Sequence, residues 1–238
     1  MSIPAPIAAT TPLLDELKLQ REDTLLRHAP FSFLVAHEQL PRDAANELAR
    51  DFPRYDSAGF FPWDPAECGP MLNRLIEELA SPRIANAIGA RLGLAELGKS
   101  PSLVTICRSL NKRHGTIHTD SKSKIVTALL YLNEQWPETD GGCLRFLRRI
   151  DDIDDMVVPQ VRPLFGTLAA FRRADNSFHG HLPYEGERRV IQIAWLTSEE
   201  EKQRKTRRGR LSRLFKKLFG RLDRRLGAGR DRNAAHPD

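Results

Sequence analysis

The sequence predicts an α+β fold in which helices of the first hundred residues support a sandwich or barrel of strands in the second hundred. Two observations carry this. Up to about residue 100, apolar residues recur at helical spacing in separate stretches; from about Pro101, short β-rich runs follow one another, divided by turn residues. A third observation bounds the domain: past Ser198 the chain turns to Lys and Arg interrupted by Leu and Phe. A chain of 238 residues is long enough for one substantial domain with an appendage.

Taken in order, Leu13, Leu14 and Leu17 indicate a short first helix, and the apolar run from Pro30 to His37 a strand. Asp43 to Phe52 carries Ala44, Leu48 and Phe52 at helical spacing and stops at Pro53. Met71, Leu72, Leu75, Ile76 and Leu79 form one apolar stripe, and Ile84, Ile88 and Leu92 a second, before Gly93 and Gly98. Both read as helices lying on a sheet. The expected strands are Leu103 to Cys107, Lys124 to Leu132, Cys143 to Leu147, Thr167 to Phe171 and Arg189 to Leu196, separated by Asp140-Gly-Gly142, Arg162-Pro163 and Phe165-Gly166. The division is therefore a support region over 1–100, a strand-rich core over 101–198 and a basic tail over 199–238.

Charge follows the same division. The net charge is +6, yet residues 201–238 hold fourteen Lys/Arg against four Asp/Glu, leaving 23 basic against 27 acidic side chains in the first 200. The high isoelectric point belongs to the tail. Three cysteines without a CxxC pair argue against a disulfide framework or a four-cysteine zinc site and suit a reducing, cytoplasmic setting. Met1 to Leu17 lacks a basic stretch ahead of an apolar one and reads as no signal peptide, and no run is long enough to span a bilayer.

The chemistry lies in His118-Thr-Asp120 and, some sixty residues later, His179-Gly-His181. In extended chain, residues i and i+2 point to one side, so His118 and Asp120 can grip one metal. Two imidazoles and a carboxylate form a facial triad, which leaves positions open on iron(II) for oxygen and a chelating co-substrate.

The surrounding pieces, in order, are His118-Thr-Asp120, Thr127-Ala-Leu-Leu-Tyr131-Leu-Asn133, Gly141-Gly-Cys-Leu144, Pro163-Leu-Phe-Gly166, His179-Gly-His-Leu-Pro183 and Gly186-Glu-Arg188-Arg189 running into Trp195. Over about 101–196 this set resembles the prolyl-4-hydroxylase-like branch of the 2-oxoglutarate- and Fe(II)-dependent oxygenases. The resemblance implies a double-stranded β-helix, or cupin-like jelly roll, with the metal at one open end. It also implies hydroxylation of a substrate with release of succinate and CO2, with Fe(II), 2-oxoglutarate and O2 as cofactors and ascorbate as reductant. The metal ligands would be His118, Asp120 and His179; Pro183, four residues on, selects His179 over His181, which becomes a substrate-facing or surface group. Arg188 or Arg189 would bind the distal carboxylate of 2-oxoglutarate. Spacing allows both, and the shared phase of Arg189, Ile191, Ile193 and Trp195 favours Arg189. Tyr131 would hydrogen-bond the same carboxylate, with Thr127 on the pocket wall. Members acting on prolyl residues carry a tyrosine about ten residues before the first histidine. Here Cys107-Arg108-Ser109 stands there, which argues against a prolyl substrate and suggests that Arg108, Lys112 or Arg113 meets an anionic substrate group.

In the tail, Leu211, Leu214, Phe215, Leu218, Phe219, Leu222 and Leu226 recur at helical spacing among Lys and Arg. This is the pattern of a basic amphipathic helix that lies on an anionic membrane surface through 207–226, at the inner face of a membrane. A helix docking on its own domain or on a partner is the alternative. Nucleic acid is disfavoured because no aromatic stacking platforms are interleaved. For the site, a zinc-dependent hydrolase would use the same ligands but leaves Tyr131 and Arg189 unexplained. A catalytically silent jelly-roll adaptor at a membrane would not need the triad; metal identity and 2-oxoglutarate turnover separate the three.

Overall fold

Helix formation in the first half follows from apolar stripes closed by specific caps. In the computed structural model, which describes residues 11–208, α1 spans Ala45–Asp51, α2 Pro70–Ala80 and α3 Pro82–Arg91. Proline opens α2 and α3, where its missing N–H costs no hydrogen bond. The Asp51 carboxylate accepts from Met71 N at 2.7 Å, and Ser81 ends α2 and caps α3 through its hydroxyl. Leu72, Leu75, Ile76 and Leu79 of α2 are fully buried, each worth about 1.5–3 kcal/mol of transfer free energy. The first expected helix is only a 3-10 turn, Glu16–Gln20, in which Leu17 is exposed and Leu19 buried.

The helices cover one face of a seven-stranded sheet with strands β1 Leu25–Arg27, β2 Phe33–Ala36, β3 Phe60–Pro62, β4 Ser102–Leu110, β5 Lys124–Tyr131, β7 Leu168–Arg172 and β9 Gly186–Leu196. Its order is β1-β2-β7-β5-β9-β4-β3, and every neighbouring pair is antiparallel. A small second sheet pairs β6, Arg145–Phe146, with β8, His179–Gly180. The short β1, β3 and β8 and the shrinkage of the Cys143 to Leu147 run to β6 are differences from the expected strands. This is the α+β, double-stranded β-helix arrangement anticipated above.

Two apolar clusters lie on opposite faces of the large sheet. Leu130, Ile191, Ile193 and Trp195 join the helices, whereas Phe33, Cys107, Tyr131, Phe171 and Val190 join Phe146 of the small sheet. Phe33 and Phe146 stack at 4.3 Å between centroids, which ties the two sheets together. No disulfide joins Cys68, Cys107 or Cys143. Among the described residues no helix is long and apolar enough to cross a membrane. Residues 199–208 are helical, and the apolar pattern from Leu211 to Leu226 lies outside the described residues.

Candidate active site

His118 and His179 are held together by the backbone itself. Each N–H donates to the other's carbonyl at 3.0 Å, an isolated antiparallel bridge that sets the rings 4.4 Å apart. The approach needs glycine next door, because a Cβ at Gly180 would come within 3.0 Å of the Thr116 carbonyl. The Nδ1 of His118 lies 2.9 Å from the Thr116 carbonyl and that of His179 2.9 Å from the Ser177 carbonyl. Each Nδ1–H therefore donates to the carbonyl two residues back, leaving Nε2 with its lone pair outward. Asp120 completes a group in which one ligand atom from each residue lies within 4.8 Å of the others.

Electrostatics prepare these groups for a cation. Burial, with the neighbouring His118, pulls His179 down to about 4, so its imidazole is neutral at neutral pH. Burial alone would raise Asp120, but Lys124, His179 and Thr127 outweigh it and hold the carboxyl well below the usual range. Lys124 Nζ lies 2.6 Å from Asp120 Oδ1, and the Thr127 hydroxyl donates to Oδ2 at 2.5 Å. Thr127 thus lines the cavity but orients the carboxylate.

The two arginines diverge. Arg188 is 2% exposed and lines the same cavity as the triad; its Nε donates to the Gly142 carbonyl at 2.9 Å and its Nη2 to the Tyr131 hydroxyl at 3.2 Å. Arg189 lies outside the cavity lining and pairs with Glu187. The phase argument grouped Arg189 correctly with Ile191, Ile193 and Trp195. That group packs toward the helices, however, while Arg188 and Gln192 line the cavity. Of the two arginines, the cavity therefore holds Arg188 and not the favoured Arg189. Tyr131 is fully buried behind Arg188, its ring centroid 5.1 Å from the guanidinium carbon, and burial raises its hydroxyl pKa.

The cavity measures about 410 Å³ and has apolar walls that include Leu129, Leu144 and Phe171. Residues 105–197 match the family described as the 2OG-Fe(II) oxygenase superfamily. That match spans the strand-rich core and takes in His118, Asp120 and His179. The chain's fold is similar to that of a Pseudomonas putida prolyl-4-hydroxylase, at 24% identity and a TM-score of 0.52, covering 69% of this chain and 85% of that one. Weaker likenesses are to a prolyl hydroxylase from Trichoplax adhaerens in complex with a hypoxia inducible factor peptide fragment (17% identity, TM-score 0.48, 69% and 83% covered) and to HygX from Streptomyces hygroscopicus with nickel and 2-oxoglutarate bound (13%, 0.47, 70% and 83%). No curated protein matches.

The donor chemistry of the site fits the Fe(II) and 2-oxoglutarate that the superfamily match implies. Two imidazoles and an ionised carboxylate face a cavity that also carries a buried guanidinium, the natural partner of a carboxylate. Of the residues proposed to meet substrate, His181 lines the cavity, with Nδ1 2.8 Å from the Leu182 carbonyl and burial pulling it down to about 4. Arg108 does not. It sits at a β-bulge in β4, 3.3 Å from the Pro53 carbonyl and 3.6 Å from Glu187. Lys112 is also outside the lining, whereas Arg113 is part of it. Lys124 and Gln192 line the cavity without having been singled out. Both were within reach: Lys124 stands four residues after Asp120, and Gln192 two strand periods after Arg188.

Proposed function

We propose that this dioxygenase holds Fe(II) through His118, Asp120 and His179, seats the distal carboxylate of 2-oxoglutarate on Arg188, and hydroxylates a substrate entering past Arg113. The observation that carries the reading is one cavity lined by both the histidine–aspartate group and a buried arginine. Bound there, Fe(II) and 2-oxoglutarate supply oxidative decarboxylation, which consumes O2 and yields succinate, CO2 and hydroxylated product.

The chain's own groups do the positioning. The Thr116 and Ser177 carbonyls hold both imidazoles in the tautomer that offers Nε2, and Thr127 and Lys124 keep Asp120 ionised. Tyr131 and Gly142 fix the Arg188 guanidinium, so its remaining N–H groups point at a carboxylate with little reorganisation. Leu129, Leu144 and Phe171 exclude water from this end.

A prolyl substrate is not carried over from the similar structures. Where prolyl-acting members place a tyrosine, Cys107 is buried in the inner cluster and Arg108 turns away. We also infer that the basic tail brings the cavity to an anionic membrane surface. Lys205, in the described first part of that tail, donates to Ser121 Oγ at 3.0 Å, next to Asp120.

Anaerobic addition of Fe(II) and 2-oxoglutarate tests the centre. A weak visible charge-transfer band in the wild type, absent from His179→Ala, is expected; folded, iron-loaded protein without a band would move the reading to zinc hydrolysis or a silent scaffold.

A further inference from the structure

The charge of the cavity points beyond the centre to its substrate. Among the residues lining it, Asp120 is the sole carboxylate, while Arg113, Lys124 and Arg188 are cationic. Suppose the centre is loaded as proposed above, on which this inference rests. The two charges of Fe(II) and that of Arg188 are then matched by Asp120 and the 2-oxoglutarate dianion. Lys124 and Arg113 then carry positive charge beyond that balance, Lys124 against walls formed largely by Leu110, Leu129, Leu144 and Phe171 and Arg113 at their exposed rim. Low-polarity surroundings make such a surplus felt strongly, and it favours an anion.

Arg113 is the better placed of the two. Before loading, Lys124 lies against Asp120 at 2.6 Å, whereas the Arg113 guanidinium is exposed at the cavity mouth and forms no ion pair among the described residues. Its backbone is fixed, with Arg113 N donating to Asn111 Oδ1 at 3.1 Å. Nor does Glu187 compensate it, being shared by Arg108 and Arg189.

We propose that the primary substrate carries an oxyanion group, a carboxylate or phosphate, which docks on Arg113 at the mouth with Lys124 behind it, leaving the apolar part of the substrate to reach the metal. The guanidinium fork suits either group.

The test uses the full chain loaded with redox-quiet Mn(II) and 2-oxoglutarate, titrated calorimetrically with inorganic phosphate and, separately, with acetate. One phosphate per chain is expected, bound about fivefold more weakly by Arg113→Gln, largely restored by Arg113→Lys, and weakened by added salt. Tighter phosphate than acetate would point to a phosphorylated substrate, and the reverse to a carboxylate; either supports the assignment. Phosphate binding undiminished in Arg113→Gln would put the anion on the metal or elsewhere and overturn it, as would loaded protein that binds neither anion. Failure to take up Mn(II) or 2-oxoglutarate is a separate result, which removes the reading of the centre and this inference with it.

Discussion

The two faces of β9 carry the same alternation to opposite ends. On one, Ile191, Ile193 and Trp195 are buried against the helices; on the other, Arg188, Val190 and Gln192 face the interior between the sheets. The helix-facing side is uniformly apolar and close-packed. The inner side trades packing for a cavity of about 410 Å³ lined by charged groups. Adjacent arginines therefore part company: Arg189 is a half-buried partner of Glu187, and Arg188 is buried with part of its guanidinium left to the cavity. Apolar alternation thus marks the structural face, and the functional face is its complement.

This contrast can be broken in graded ways. His179→Ala should abolish both metal uptake and 2-oxoglutarate turnover, as followed by Mn(II) titration and succinate release. Arg188→Gln should raise the 2-oxoglutarate KM on the order of a hundredfold, because truncating one partner of a buried charge pair costs about 2–5 kcal/mol. Arg189→Gln should change the same KM less than about twofold, because Arg189 lies outside the cavity and pairs with Glu187 at the surface; equal effects of the two would erase the distinction between the faces. Ile193→Ala should cost about 2–5 kcal/mol in urea unfolding while leaving the 2-oxoglutarate KM alone.

The smallest effect concerns pH. His179 and His181 are held near 4, below the usual histidine value of 6.5, so the unfolded chain binds more protons between these limits. Stability of the metal-free protein should be fully present above pH 6.5 and decline as pH falls toward 4, with His179→Phe flattening that slope in thermal melts.

Much of this was legible in the sequence. The stripes of α2 and α3 and the runs of β4, β5, β7 and β9 are periodic over enough residues to declare their state. The ligand group was legible through ordered motifs around His118, Asp120 and His179. What escaped depended on partners distant in sequence. The strands β1, β3 and β8 have two or three residues each and exist because a neighbour offers hydrogen bonds. Arg108 turns aside at a bulge that its own neighbours do not announce. Which of Arg188 and Arg189 lines the cavity depends on which face the helices cover, a fact written in Leu72 and Ile76 rather than in β9.

The reciprocal hydrogen bonds between His118 and His179 have a consequence for how metal arrives. Because the two imidazoles are tethered side by side, 4.4 Å apart, before any ion is present, chelation need not order a loop or close a gap some sixty residues wide in sequence. The centre should behave as a preorganised macrocycle does: uptake is governed by ion desolvation and by displacement of Lys124 from Asp120 instead of by folding, and metal removal leaves the scaffold standing.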